Sequence, residues 1–449
     1  MIEAALLTDG FGREEVAIVH PYDLAKVVGP ETELCGITGH DLLGINPPTS
    51  TFTDFTRRGP PFNRIKFLDL LKDKNLKGLE IVVGGKSAWQ VASIDIMDRL
   101  GIDYVHLGEG ELSVPQMFRS ILEGKEIPRI VKGEDVPVEA IPNLRGATIH
   151  GLVEISRGCG RGCAFCTPGM QKVRHKAIDH IERDIRTEVE GGCKDIILHS
   201  EDALRYGTSR IEADEKKVID LVTRACSVEG VNSIGFSHIA LASAYHHPHL
   251  IEKISEIGLT MPGNEFVGAQ TGLETGSTKL MRLHMQGKTL PSPSEKWKEI
   301  ATESLGLLKD NHWLILSTLV AGLPGEKEED VLQTSELLDD LKDSATFIVP
   351  MCFVSMAGAR LSDAESFTVD KMTPAHWVMF GQCLQHDIEL GRKLKDVILP
   401  SNPMTHAIGG FFLNRFLKGA EKYSKVMLKG QPPRDYLPDE KNFRNPEIY

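Results

Sequence analysis

With 449 residues, 41% of them hydrophobic and 25% charged, the chain is too long for one ordinary domain and has the composition of a globular protein of two or three. Its formal net charge of −12 works against a nucleic-acid backbone as partner, because phosphate binding draws on Lys and Arg. The longest apolar run, residues 313–323, falls well short of the roughly 20 residues that span a bilayer and no signal-peptide layout opens the chain, so a cytoplasmic location without membrane contact is expected.

Residues 1–140 alternate β-rich runs with helical stretches. Residues 15–20 and 33–38 read as strands, 62–74 as an amphipathic helix, and 79–83 as a strand closing on Gly84 and Gly85. A helix over 88–100 and a strand over 104–107, ending in Gly108, Glu109 and Gly110, follow. Strand, glycine turn, helix, strand is the grammar of a doubly wound, Rossmann-like parallel sheet in the α/β class, whose ligands bind beyond the carboxyl ends of the strands. A stretch holding Pro128, Pro137 and Pro142 reads as a linker. Residues 141–355 carry a second βα series, with strands expected at 152–156, 195–199, 233–237, 265–271, 314–320 and 346–349. Residues 356–449 read as a helical C-terminal domain, with one long helix over 373–395 and a tail over 430–449.

Eight cysteines in a reducing compartment favour free thiols and metal ligation over disulfides. Three of them stand in Glu154-Ile-Ser-Arg-Gly-Cys-Gly-Arg-Gly-Cys-Ala-Phe-Cys166, where Cys159, Cys163 and Cys166 are separated by three and then two residues on a Gly-rich loop. Thiolates are soft ligands suited to iron–sulfur clusters or zinc. A [4Fe–4S] cluster normally takes four cysteines, so a set of three leaves one iron open. The alternative is a closed zinc site completed by Cys193 or His199; such sites usually show a paired second half, and none is visible here. Cys35, Cys193, Cys226, Cys352 and Cys383 are scattered singly and read as small apolar residues.

The cysteine loop, with Phe165 as the aromatic next to its last cysteine, resembles the radical S-adenosylmethionine (SAM) superfamily, and the six strands that it opens resemble that family's partial (β/α)6 barrel. The resemblance implies that the open iron binds the amino and carboxylate groups of SAM. The cluster, reduced by an electron donor, would then cleave SAM to methionine and a 5′-deoxyadenosyl radical. It assigns Ser200, Glu201 and Asp202, at the end of the second barrel strand, to the SAM amino group, which needs acceptors. It assigns Gln270, Thr271 and Glu274, within the segment 268–277, to the strand beside the adenine, and 320–326 to a turn shaping the pocket. His238 reads as a satisfied core histidine, and Arg157 and Arg161 as solvated arginines able to offset thiolate charge.

Three N-terminal segments, 39–51, 83–89 and 107–111, resemble the cobalamin-binding domains found ahead of radical SAM domains. The resemblance implies close backbone approach to the cofactor at Gly84 and Gly85, hydrogen bonds from Ser87, Thr49, Ser50 and Thr51, and a further contact turn at Gly108, Glu109 and Gly110. The family's Asp-x-His-x-x-Gly signature is absent, and His20 and His40 read as hydrogen-bonded loop histidines, so cobalamin without a histidine ligand is expected. Together these features imply a cobalamin-dependent radical SAM methyltransferase acting on an unactivated carbon of a protein or peptide. The wording of the motifs is most similar to archaeal enzymes that methylate methyl-coenzyme M reductase, such as its glutamine C-methyltransferase. A cobalamin-associated cyclase or mutase without methyl transfer is the runner-up, and a non-enzymatic metal-cluster module the alternative from another class. A methylthiotransferase would need a second set of three cysteines, whereas residues 1–150 hold only Cys35.

Overall fold

The computed structural model describes residues 1–56, 59–399 and 402–433. By its contacts the chain divides into two compact units: Met1–Arg145, and the described residues from Gly146 onward.

The first unit is built on four parallel strands, β1 (Leu34–Thr38), β2 (Glu80–Gly84), β3 (Tyr104–Leu107) and β4 (Ile130–Lys132), hydrogen-bonded in that order. Successive side chains of a strand point to opposite faces, so the unbroken apolar run of β2 needs cover on both. Ile81 and Val83 pack with Phe67 of the helix Phe62–Leu71 and Met97 of the helix Ile94–Leu100, while Val82 packs with Met117 and Ile121 of the helix Ser113–Leu122.

Three sequence expectations change in this unit. Residues 15–20 form no strand: among the described residues no strand pairs with them, Ile18 is exposed, and Pro21 opens a 3-10 turn, Pro21–Asp23. The helix expected over 88–100 breaks into a 3-10 turn, Ala88–Gln90, and the helix Ile94–Leu100 behind Ser93. The proline-bearing stretch contributes β4, and Pro47 and Pro48 start a helix, Pro47–Thr56, as prolines can in a first turn.

The second unit carries six parallel strands: β5 (Leu152–Glu154), β8 (Asp195–His199) and β9 (Ser233–Phe236) in one sheet, β10 (Val267–Glu274), β11 (Trp313–Ala321) and β12 (Thr346–Cys352) in another. A parallel bridge between His238 and Gln270 joins them. The expected first strand is cut at Ile155; its end, β6 (Ser156–Arg157), turns aside to pair antiparallel with β7 (Arg174–His175). Burial alternates along β11, with Trp313, Ile315, Ser317, Leu319 and Ala321 buried and the residues between them only half-buried. The first set faces the covering helices, and the second lines an interior that is not filled. Gly235, Gly268 and Gly272 occupy the same inward phase of β9 and β10; space lies open before Gly268, whereas Glu274 and Lys288 fill the space beside Gly272.

An open barrel leaves β12 with an unpaired edge, which a native protein must cover. The helix Pro374–Lys393 does so with side chains: Asp387 Oδ1 accepts the Ile348 N–H at 2.7 Å, and His386 Nε2 meets Thr346 O at 2.8 Å. The residues after 355 therefore pack on the barrel within its own unit; the expected tail over 430–449 lies mostly outside the described residues. Among the described residues no helix is long and apolar enough to cross a membrane.

Burial pushes the Asp387 carboxyl up to about 7. Because an unfolded Asp releases its proton near pH 4, the folded protein holds one more proton than the unfolded chain between about pH 4 and pH 7, and stability falls as pH rises through that window. Asp387→Asn keeps the acceptor for Ile348 and cannot ionise. Urea unfolding across this range should show a downward slope in the native protein that is flattened in the variant.

Candidate functional site

The parallel strands send the cysteine loop, the β8 end at Ser200–Asp202, the β9 end at His238, Glu274 and the turn after β11 to the carboxyl side of the barrel, where such folds place their chemistry. The cysteine loop is shaped by Gly158, Gly160 and Gly162, with φ of 75°, 68° and 70°. A Cβ at Gly158 would lie 2.5 Å from Lys172 O, so the left-handed turn there is reserved for glycine. Backbone bonds then knit the loop: Cys159 N–H to Pro168 O at 3.0 Å, Gly162 N–H to Gly169 O at 2.9 Å, Cys166 N–H to Cys163 O at 3.1 Å and Ala164 N–H to His284 O at 2.8 Å. Cys163 is buried, while Cys159, Phe165 and Cys166 are half-buried.

Burial raises all three thiols, Cys166 to about 12. Thiolates here therefore need compensating positive charge, which bound iron and the neighbouring cations would supply. Arg161, expected at the surface, is instead buried between the cysteines. Its Nη2 meets Asp202 Oδ2 at 3.0 Å and Ser243 Oγ at 2.8 Å, and its Nη1 donates to Gly287 O at 3.1 Å. Arg205, not singled out in the sequence, is also buried and donates from Nη1 to Cys159 O at 3.0 Å. Arg157 pairs with Glu154 through two bonds of 2.8 and 2.9 Å.

The assigned SAM residues separate into two groups. Asp202 is committed to the protein itself: Oδ1 accepts the Ala240 N–H at 3.1 Å, and Oδ2 takes Arg161 and Ser243. It braces Arg161, so in this structure both its oxygens are engaged within the protein. Thr271 likewise turns to the covered face, where its hydroxyl donates to Ile239 O at 2.8 Å. By contrast Glu201 is half-buried and close enough to raise Cys166 by its charge, and among the described residues it makes no ion pair. Ser200 Oγ is buried without a partner, and Gln270 is exposed on the inward face of β10. Glu274 closes β10 at a bulge with φ of 61°, rare for a side-chain-bearing residue, and accepts Lys288 Nζ at 2.9 Å. Burial disfavours the Lys288 ammonium, but the charge of Glu274, with that of Cys163 as a thiolate, holds its pKa above the ordinary value. Lys288 carries no motif; only the fold brings it to the cysteines.

Among the described residues no three His, Cys, Asp or Glu side chains gather as ligands of one ion. Cys193 Sγ lies 3.6 Å from Thr148 O, engaged outside the loop. A cluster asks for a different arrangement, one sulfur for each of three irons, and the donor chemistry of the loop, with Arg161, Arg205 and Lys288 about it, fits that group.

In the first unit the N-terminal assignments also divide. A Cβ at Gly84 would meet nothing nearer than His106 at 4.0 Å, so space lies open before it. Gly85 differs, with φ of 89° and a Cβ position 2.4 Å from Thr38 Oγ1. The Ser87 hydroxyl, assigned to a ligand, is spent inside: it donates to Gly39 O at 2.8 Å and accepts the Leu42 N–H at 3.2 Å. Gln90 completes this brace, bonding the Leu43 N–H, Asp41 and Asn46. Thr51 is buried, Ser50 Oγ lies 3.3 Å from Pro47 O in its own helix, and Thr49 sits in the same helix. Gly108 would crowd Gly133 O at 2.6 Å with any Cβ, Gly110 would crowd Val114, and Glu109 Oε2 accepts the Val136 N–H at 2.7 Å. These residues build the loops rather than offer free groups. His20 Nδ1 accepts the Tyr22 N–H at 3.3 Å, and His40 is exposed.

Comparison with known proteins adds two likenesses. Residues 153–338, within the second unit, match the model of the radical SAM superfamily. A tRNA-2-methylthio-N(6)-dimethylallyladenosine synthase of Natranaerobius thermophilus is 24% identical over 63% of this chain and 60% of its own length. The ribosomal protein uS12 methylthiotransferase RimO of Thermotoga maritima is 28% identical over 43% of this chain and 42% of its own. The chain thus spans less than two thirds of either relative. Among solved structures, the radical S-adenosylmethionine methyltransferase TsrM of Kitasatospora setae, with cobalamin and a [4Fe–4S] cluster bound, aligns over 80% of this chain and 70% of its own with a TM-score of 0.58 and 14% identity. The same enzyme with tryptophan and a SAM analogue gives 0.56 at 15% identity. At such identities the likeness is one of fold.

Lys288→Met should strand the Glu274 carboxylate in a buried, left-handed position and destabilise the protein by about 3–5 kcal/mol, the cost of breaking a buried pair from one side. Lys288→Met combined with Glu274→Gln should cost clearly less. Denaturant unfolding of the metal-free proteins measures both.

Proposed function

We propose that this chain is a cobalamin-dependent radical SAM C-methyltransferase that modifies an unactivated carbon of a protein side chain. The observation that carries the reading is a joint one: a three-cysteine loop at the mouth of a wide partial barrel, preceded by a separate parallel α/β unit with open space beyond the end of β2. A fold likeness to a methyltransferase solved with cobalamin and a [4Fe–4S] cluster, extending over 80% of the chain, supports it.

In this reading Cys159, Cys163 and Cys166 hold the cluster, and Arg161, Arg205 and Lys288 offset its thiolates. The free carboxylate of Glu201 and the unpartnered hydroxyl of Ser200 accept from the SAM ammonium, and Gln270 lines the route to the adenine. The bound cofactors supply radical generation and the methyl group; the chain positions them and excludes water. An external reductant feeds the cluster. The first unit takes cobalamin beyond Gly84, with neither His20 nor His40 ligating cobalt. The motif wording points to methyl-coenzyme M reductase, at a glutamine, as the substrate. A methylthiotransferase, the activity named for the sequence relatives, is disfavoured by Cys35 being the sole cysteine of residues 1–150.

The deciding experiment is mass spectrometry of a glutamine-bearing peptide from methyl-coenzyme M reductase, incubated with SAM, cobalamin and reductant. A single methyl increment is expected. 5′-Deoxyadenosine without methylated peptide would favour the cyclase or mutase reading, and a sulfur-bearing increment the methylthiotransferase one. Cys159→Ala, Cys163→Ala and Cys166→Ala should each bring SAM cleavage to background, whereas Cys35→Ala should stay within a few-fold of the parent.

Cobalamin binding can be tested separately. Gly84→Leu should melt with the parent yet retain little cobalamin, while Gly85→Leu should lower the melting temperature of the cofactor-free protein, because its side chain would strike Thr38. Electron paramagnetic resonance of bound Co(II) should show no splitting from an axial nitrogen. Splitting abolished by His20→Ala or His40→Ala would overturn the histidine-free assignment.

A further inference from the structure

The chain between β12 and the helix Pro374–Lys393 closes on itself at residues 353–367. At the base, Phe367 N–H donates to Phe353 O at 2.9 Å and Ser355 N–H to Ser366 Oγ at 3.0 Å. The Phe367 ring lies against Gly322 and 5.1 Å from the ring of His376, which Glu326 holds at 2.8 Å. Ends this close and this well anchored define a compact Ω-type loop.

Its tip is docked on the cysteine loop. Ala359 is buried, and three bonds cross between segments nearly 200 residues apart in sequence. Leu361 N–H donates to Ala164 O at 3.0 Å, Thr167 Oγ1 to Ala357 O at 3.2 Å, and the Arg360 guanidinium to Gly162 O. The three attachment points bracket the thiols: Gly162 and Ala164 flank Cys163, and Thr167 follows Cys166. A loop with three left-handed glycines has much conformational freedom to lose, and ties of this kind remove it before any ligand arrives.

We propose that residues 353–367 form a clamp that orders the cysteine loop in the metal-free protein, with Arg360 and Thr167 as positioning residues, and that this ordering slows loss of the cluster. The second half rests on the reading of Cys159, Cys163 and Cys166 as cluster ligands; the first concerns the chain alone. No part of the clamp touches reacting atoms.

The test is the double variant Arg360→Ala with Thr167→Val, which trims two side chains and leaves the barrel core intact. In metal-free protein, hydrogen exchange over residues 158–170 should quicken by about tenfold or more, while β10 and β11 stay protected as before. In cluster-loaded protein, release of iron to a chelator should be several-fold faster, with Arg360→Lys close to the parent. Asp363→Ala, an exposed position of the same loop away from these bonds, should change neither rate. Unaltered exchange over 158–170 in the double variant would overturn the clamp, as would an equal effect from Asp363→Ala. A native protein that takes up no iron would overturn the cluster reading, and the exchange measurement would still decide whether the clamp exists.

Discussion

Three thiols gathered on one short loop, under burial that resists their ionisation, need positive charge fixed close by. Arg161 supplies part of that charge, lowering both Cys159 and Cys163, while Asp202, whose own charge raises Cys159, serves to fix the guanidinium in place, since it also takes Ser243 and the Ala240 N–H. Such a pair is costly to desolvate and contributes little net stability. Its benefit is placement: it ties the cysteine loop to the ends of β8 and β9 at once. Lys288, held by Glu274 at the end of β10, brings a second positive charge to Cys163, and Arg205, in the turn after β8, bonds the loop directly at Cys159 O.

In a full barrel inward residues pack in layers and leave no lumen; here the inward residues of β11 stay half-buried, space lies open before Gly268, and β12 has no further strand beside it. Openness exposes an edge, and the helix Pro374–Lys393 covers it with Asp387 and His386, the first with its pKa pushed up to about 7 by burial. The C-terminal segment thus serves the barrel twice, as edge cover through this helix and as a tie on the cysteine loop through residues 353–367.

In the first unit a comparable economy holds the loops after β1 and β2. Ser87 and Gln90 satisfy the backbone of residues 39–43, so the turn beyond the sheet is rigid without any ligand. Polar residues that resemble ligand contacts in sequence are there the internal supports of the turn, and the free surface is offered by the backbone around Gly84.

The sequence by itself determined the two βα series, the places of the six barrel strands, three of them to within one residue at each end, the long C-terminal helix and the three thiols, because apolar periodicity and cysteine spacing are local properties of the chain. It also marked Ser200 and Glu201, just beyond the end of β8, and Gln270, within β10, as polar candidates. Tertiary structure alone decided what each polar group faces. Asp202, Thr271 and Ser87 carry the right chemistry for a ligand, yet neighbours distant in sequence consume their hydrogen bonds. Arg161 looks solvated in a Gly-rich loop and is buried because Gly287 and Ser243 close over it. Residues 15–20 are β-rich like a strand and form none, since a strand needs a partner that the sequence cannot supply from its own neighbourhood. Lys288 and the ties at Arg360 and Thr167 had no signal to read: their roles arise only where the fold brings segments more than a hundred residues apart into contact.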